Sequence, residues 1–163
     1  MIAAEDAAAL VEIQRASYAR GRAIKGSWPE TDALDQAGIA DLLARRRYCV
    51  LATARPDARA HAAPVAFVVV VGAFWFGTVE GLRLRNLKAT PWASVVVMEG
   101  DRDVDPHKAL TAEGPVVLHE GDEFAAAFEP LREMWIARHG HEPDWAVALV
   151  ELRPERVFSY SAA

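Results

Sequence analysis

Apolar residues recur at helical spacing in the first third of the chain. Residues 3–20 are rich in alanine and leucine, and Leu10 and Ile13 fall on one face, which predicts a first helix there. Residues 31–47 repeat this pattern, with Thr31 in the position of a capping residue. The chain therefore opens with two predicted helices, joined by a loop that contains glycine and proline.

Beyond residue 47 the pattern changes to short apolar runs separated by turn residues. Pro56 presets a backbone angle in the first of these turns, and short links of this kind favour antiparallel strands. Pro64 cannot donate a hydrogen bond within a sheet, so we expect it at an edge or a bulge. The six predicted strands are residues 48–54, 60–71, 73–78, 92–99, 108–119 and 146–152, with 157–160 as an extension of the last.

Two further helices interrupt the strands. We predict a short one over residues 82–88 and a longer one over residues 122–139, where Asp122 is the expected cap. Six strands with interspersed helices indicate an α+β fold built on an antiparallel sheet. Closure of that sheet into a barrel would remove its exposed edges.

Composition and charge exclude several classes of protein. The chain has 163 residues and a formal net charge of −5, which disfavours a nucleic-acid partner. The longest apolar run, residues 60–76, is interrupted by His61, Pro64 and Gly72, so we expect no membrane partner. The beginning of the sequence has no basic segment typical of a secretory signal, and Cys49 is the single cysteine. We therefore expect a cytoplasmic location.

Residues 77–87 combine the features of an anion site. A predicted strand ends at Thr78, a glycine-containing loop follows, and a helix begins near Leu82. Backbone N–H groups at such a helix start attract phosphate, and an arginine there can add charge-assisted hydrogen bonds. Arg83 and Arg85 are two residues apart and point in different directions, so we favour Arg83 as the ligand. The alternative is that both arginines are solvated.

Two sequence patterns resemble metal-binding sites, but neither has the full set of ligands. Residues 101–112 begin like a calcium-binding loop, but Pro106 and Ala112 occupy positions that need glycine and glutamate. His139 and His141 lie at a predicted helix end without a clear further ligand, which favours a capping or surface role. We predict no metal site.

Four short motifs occur in a fixed order along the chain. They are LATARPDARAHAAPVAF at residues 51–67, RNLKATPWASV at 85–95, KALTAEG at 108–114 and LRPERV at 152–157. In this order and spacing they resemble the pyridoxamine 5′-phosphate oxidase-like split barrels that bind FMN. The chain departs from that pattern at residues 81–83, where it has Gly-Leu-Arg and many relatives have Ser-Arg-Lys or Ser-x-Lys. It also has Ala58 in place of a turn glycine, Ala60 in place of a proline and Ala66 in place of a bulky aromatic residue.

The resemblance implies a six-stranded antiparallel split β-barrel with peripheral helices. It implies a flavin-binding barrel over residues 31–163 and a homodimer with two cofactor sites at the subunit interface. The predicted N-terminal helix and loop, residues 1–30, lie outside the resemblance. The cofactor-binding residues that it implies are Ala63, Pro64, Val65 and Ala66 beside the ring, Thr78 and Arg83 near the phosphate, and Lys108 on the fifth strand.

The resemblance also implies an activity. The expected function is that of an oxidoreductase that uses FMN, or alternatively the deazaflavin coenzyme F-420, on a small organic substrate. In such proteins the cofactor carries the chemistry, so no catalytic side chain is predicted. The alternative is a non-catalytic module that binds flavin or haem for storage, sensing or a stress response.

Overall fold

Five α-helices and eight β-strands succeed one another in a computed structural model that describes residues 3–20, 27–99 and 107–161. The helices are α1 (Ala4–Arg20), α2 (Gln36–Arg45), α3 (Leu82–Ala89), α4 (Asp122–Phe128) and α5 (Arg132–His139). The strands are β1 (Tyr48–Ala54), β2 (Ala60–Ala66), β3 (Val68–Val70), β4 (Ala73–Thr78), β5 (Trp92–Glu99), β6 (Lys108–Glu120), β7 (Ala148–Leu152) and β8 (Arg156–Ser161). None of the described helices is both long and apolar enough to cross a membrane.

All strand pairs are antiparallel, and the sheet curls into a barrel. The order of neighbours is β2-β1-β5-β6-β7-β4-β3, with β8 paired to β6. The two ends of this order, β2 and β3, are separated along the chain by Phe67 alone, so they form one bent strand. Since β7 and β8 pair with successive parts of β6, they occupy one further position, and the barrel wall has six strand positions in all. The α+β split-barrel prediction is confirmed.

The strand count differs from the predicted six at two places. The predicted strand 60–71 divides at Phe67, because β2 pairs with β1 while β3 turns away to pair with β4. The predicted extension 157–160 is a separate strand, β8, which lies beside the first half of the long strand β6. The second half of β6 pairs with β7 instead. Strands β7 and β8 therefore both pair with β6 but do not pair with each other.

Two helix predictions need correction. The predicted helix 31–47 begins only at Gln36, because the side chain of Asp35, rather than Thr31, accepts the capping hydrogen bond from Gly38 N at 2.8 Å. The predicted helix 122–139 divides into α4 and α5 around a 3₁₀ turn that contains Pro130. Proline has no N–H to continue the ladder and its ring clashes with the preceding turn.

The interior of the barrel is filled by alternate residues of its strands. In β1, Cys49, Leu51 and Thr53 are buried, while Tyr48 and Val50 face outward. Burial raises the pKa of the Cys49 thiol to about 12, so this cysteine is a small core residue, as its position in an apolar strand predicts. A second apolar cluster, centred on Trp135 and Phe128, fixes α4 and α5 against the outside of β3 and β7.

Helix α1 packs on the barrel at both of its ends. Near its start, Asp6 accepts a hydrogen bond from Val71 N at the β3–β4 turn. Near its end, Tyr18 Oη donates to Ser159 O at 2.9 Å, and Ser17 Oγ accepts from Val157 N at 3.0 Å. The helix thus ties the β3–β4 turn to β8. The loop predicted over residues 21–30 and the calcium-like turn at residues 101–112 fall partly outside the described residues.

Candidate functional site

A cavity of about 320 Å³ lies beside the barrel, between β2, the start of α3 and the end of α5. Its wall contains two arginines and two histidines but no carboxylate among the described residues. Three aromatic side chains complete the lining, namely Tyr48, Trp135 and Trp145. A cavity with aromatic walls and only basic charged groups suits a planar ligand that carries an anionic group.

One wall is formed by the strand segment that the sequence motif identifies. Pro64, Val65 and Ala66 all line the cavity, and they pair with β1 through the register Pro64↔Val50 and Cys49↔Val65. Pro64 lies on β2, at one end of the described strand order, where one side of the strand has no paired neighbour; this is the edge position expected for a residue that cannot donate within a sheet. The small side chains at positions 64 and 66 leave room beside this backbone.

Arg83 lines this cavity at the start of α3. Its Nε is buried without a hydrogen-bond partner, and no described carboxylate lies within ion-pair distance. Burial lowers the pKa of Arg83, which measures how unfavourable this half-buried site is for an unpaired cation. The preceding Gly81 has a φ of 154°, and no side chain caps the helix that begins at Leu82. The site therefore offers a desolvated guanidinium that lacks an anion.

The neighbouring arginine faces a different region. Arg85 is exposed and borders a separate cleft on the other side of α3. The different positions of Arg83 and Arg85 agree with helix geometry, in which residues two apart differ by roughly 200° around the helix axis.

The other predicted ligands lie outside the lining. Thr78 is buried, and its hydroxyl donates to Val79 O at 3.3 Å, while its neighbour Gly77 lines the cavity. Ala63 precedes the lining segment without belonging to it. Lys108 begins β6, and its Nζ lies 3.6 Å from Asp41 Oδ2. The structure therefore brings Pro64, Val65, Ala66 and Arg83 together, and the roles of Ala63, Thr78 and Lys108 stay predictions.

Gly77 permits the opposite wall of the cavity. A Cβ atom built at this position would lie 3.0 Å from Cη2 of Trp145 and 3.0 Å from Cβ of Ala146. Only a residue without a side chain lets the indole approach the end of β4 this closely.

Helix α5 supplies functional candidates that the sequence reasoning missed. His139 packs against Trp135 with ring centroids 4.7 Å apart and ring planes tilted by 48°, and its Nε2 lies 3.1 Å from Phe67 O. Burial lowers the pKa of His139, the hydrogen bond to Phe67 O opposes this shift, and the charges of Arg138 and Arg47 add to it, so the site favours the neutral ring. A neutral ring that donates through Nε2 keeps Nδ1 as an acceptor. The i, i+4 spacing of Trp135 and His139 is the one local signal that pairs them.

His141 lines the same cavity, with its Nδ1 2.8 Å from Glu142 O. The Glu142 carboxylate is paired with Arg132. Within residues 3–20, 27–99 and 107–161, no three His, Cys, Asp or Glu side chains gather in a way that could hold a metal ion.

Comparisons with known proteins agree on the fold. A family model described as pyridoxamine 5′-phosphate oxidase matches residues 36–161. An FAD-binding protein from Mesorhizobium loti is 19% identical with a TM-score of 0.64, over 80% of this chain and 96% of its own. The conserved hypothetical protein Rv2991 of Mycobacterium tuberculosis is 20% identical with a TM-score of 0.61, over 81% and 88%. HutZ, the heme storage protein of Vibrio cholerae, is 21% identical with a TM-score of 0.56, over 76% and 92%. No curated protein matches the sequence.

Proposed function

This chain belongs to the pyridoxamine 5′-phosphate oxidase family, and we propose that it binds a flavin in the cavity beside α3 and acts as an oxidoreductase on a small organic substrate. The proposed cofactor is FMN, with the deazaflavin coenzyme F-420 as its alternative. Both are planar rings with a phosphate-bearing tail, so the same cavity features support either one.

The observation that carries the proposal is the unpaired guanidinium of Arg83. Its buried Nε has no partner, yet it shares a cavity with Pro64, Val65 and Ala66. A phosphate oxygen would supply the missing acceptor and remove the cost of an isolated charge. The absence of any carboxylate from the described lining supports an anionic ligand over a cationic one.

The chain's own residues would bind and orient the cofactor. The backbone of β2 and the indole of Trp145 form two walls between which a ring can lie, and the lone pair of His139 Nδ1 can accept a hydrogen bond. The flavin supplies the hydride chemistry when it is bound. The relative from Mesorhizobium loti is described as FAD-binding, which supports a flavin in this fold.

We propose in addition that the protein is a homodimer through the outer face of β1 and β5. Tyr48 and Met98 are 64% and 62% exposed there, and Val50 and Trp92 lie on the same outward face. Exposed apolar patches of this kind mark interaction surfaces. Tyr48 also borders the cavity, so a partner on this face would complete the site. Sedimentation should give a dimer mass for the wild type and a monomer mass for Met98→Glu; a monomeric wild type would contradict the dimer.

The test of flavin binding compares FMN with riboflavin, which has the same ring without the phosphate. Wild-type protein titrated with FMN should quench the flavin fluorescence. Arg83→Ala should weaken FMN binding by about 1.5–3 kcal/mol, the range for a hydrogen bond to a charged group, and should leave riboflavin binding unchanged. Arg156→Ala, an exposed arginine on β8, is the control. Equal affinity of both proteins for FMN would show that the phosphate is held elsewhere.

A parallel titration with coenzyme F-420 separates the two cofactors. The tighter ligand should also support turnover when an electron donor or acceptor is supplied. A protein that binds a flavin tightly without exchanging electrons would contradict the enzymatic part of the proposal and leave the binding part standing.

A haem-binding role is the second candidate, and one observation favours it. His139 Nε2 is directed at the Phe67 carbonyl, which is the arrangement that metal-ligating histidines commonly adopt. The relative from Vibrio cholerae is described as a heme storage protein. If haem is the ligand, haemin should give a sharp Soret band that His139→Ala abolishes. If flavin is the ligand, that variant should still bind FMN, weakened by no more than about 0.5–1.5 kcal/mol, the contribution of one neutral hydrogen bond.

A further inference from the structure

A second cleft, of about 350 Å³, lies on the other side of α3 from the flavin cavity. It is bounded by the β1–β2 turn, through Arg55 and Asp57, and by α3, through Leu82, Arg85 and Asn86. An α-helix with its side chains is about 10–12 Å wide. The two cavities are therefore close enough for one extended ligand to reach both.

The charges in this cleft are unbalanced. Among the described residues, neither Arg55 nor Arg85 forms an ion pair, and the buried Nε of Arg55 has no hydrogen-bond partner. The one carboxylate of the cleft, Asp57, is held by Arg59 at 2.6 Å. Hydrogen bonds from Arg59 lower the pKa of Asp57, and the more distant charge of Arg55 lowers it further, so Arg59 is the direct partner of this carboxylate. Two guanidinium groups thus remain for an external anion.

Asn86 adds an observation that is independent of charge. Its side chain is 1% exposed and lines the cleft, and its Nδ2 donates to Thr53 Oγ1 at 3.0 Å. Its Oδ1 is buried and has no hydrogen-bond donor. A buried acceptor without a partner is uncommon and costs stability unless a ligand supplies the hydrogen. A ligand in this cleft should therefore carry an O–H or N–H group beside its anionic group.

We propose that this cleft binds a phosphoribosyl group, with the phosphate held by Arg55 and Arg85 and a ribose hydroxyl donating to Asn86 Oδ1. Such a group has two possible sources, which share this chemistry. It is either the nucleotide end of a dinucleotide cofactor whose flavin occupies the neighbouring cavity, or a separate mononucleotide. The first source rests on the proposed flavin function, whereas the second does not.

The experiment measures the binding of 5′-AMP, adenosine, FMN and FAD to the wild type and to Arg85→Met by calorimetry. Arg85 is exposed, so its replacement should not disturb folding. We expect 5′-AMP to bind the wild type and adenosine to bind much more weakly. Arg85→Met should weaken 5′-AMP binding about 10- to 100-fold, the effect of one charge-assisted hydrogen bond. Arg15→Met, on exposed α1 surface, is the matched control and should change nothing.

The flavin titrations identify the source of the group. If the cleft holds the end of a dinucleotide, FAD should bind more tightly than FMN, and Arg85→Met should erase that difference while FMN affinity is unchanged. If the cleft holds a separate nucleotide, 5′-AMP should bind equally well with and without saturating FMN. Absence of 5′-AMP binding together with equal FMN and FAD affinities would overturn the proposal. Because FMN affinity is read separately, failure of the flavin function would be visible on its own.

Discussion

Replacing Arg83 with methionine should make the ligand-free protein more stable while it weakens anion binding. In the folded chain this guanidinium is half-buried and unpaired, and burial lowers its pKa. In the unfolded chain it is fully hydrated. The folded state therefore pays a desolvation cost that methionine, with a similar unbranched stem, does not have.

The size of the gain follows from the partial burial of the group. An unpaired buried polar group costs roughly 1–3 kcal/mol in proteins. Because the side chain of Arg83 is only partly buried, the lower end applies, and we expect about 1 kcal/mol. For a chain of this length that corresponds to a rise in Tm of about 2–4 °C.

Thermal unfolding followed by circular dichroism measures this effect in the absence of ligand. Arg85→Met is the matched control, because it lies on the same helix, is exposed and should leave Tm within about 1 °C, as surface substitutions do. Added FMN should then raise the Tm of the wild type more than that of Arg83→Met, since a ligand stabilises the protein that binds it more tightly to a greater extent. A Tm for Arg83→Met at or below that of the control would show that burial of the Arg83 guanidinium does not destabilise the ligand-free protein, and would refute the prediction.

Three further outcomes test the fold and the site. Val71→Asn should stabilise by about 1 kcal/mol in urea titrations, because Val71 has a φ of 50° in the turn with Gly72, where a β-branched residue is strained and asparagine is not. Gly114→Ala should destabilise by about 3 kcal/mol or more, because its Cβ would overlap the carbonyl oxygen of Arg153; a soluble variant with a wild-type urea midpoint would disprove this packing. Because burial holds the pKa of His139 below its ordinary value of about 6.5, stability is fully present above that pH and is lost as pH falls through the folded pKa. His139→Gln should flatten the pH dependence of Tm below about pH 6.5, and an unaltered slope would exclude His139 as its cause.

Local sequence patterns predicted most of the secondary structure and part of the site. In β1, buried and exposed residues alternate along the strand, as the alternation of its side chains between two faces requires. Helix α1 follows from the helix propensity of its residues and the spacing of its apolar positions. The choice of Arg83 over Arg85 also followed from local geometry, because residues two apart on a helix face different ways. These are features that a short stretch of chain decides by itself.

The cavity depends on contacts between segments that are far apart in the sequence. His139 reaches the carbonyl of Phe67, and Trp145 approaches Gly77, across separations of about seventy residues. No periodicity within either segment encodes these contacts, so the sequence reasoning placed His139 at a helix end and omitted it from the site.

The sequence by itself determined the strands and most of the helices, because propensity, capping and alternation act over a few residues. Only the tertiary structure decided where the second strand bends at Phe67, how α5 closes over the cavity and which polar atoms are left without partners. The physical reason is that burial is a property of the whole packed molecule. The Nε of Arg83 is left without a partner because surrounding segments remove its water without supplying an acceptor.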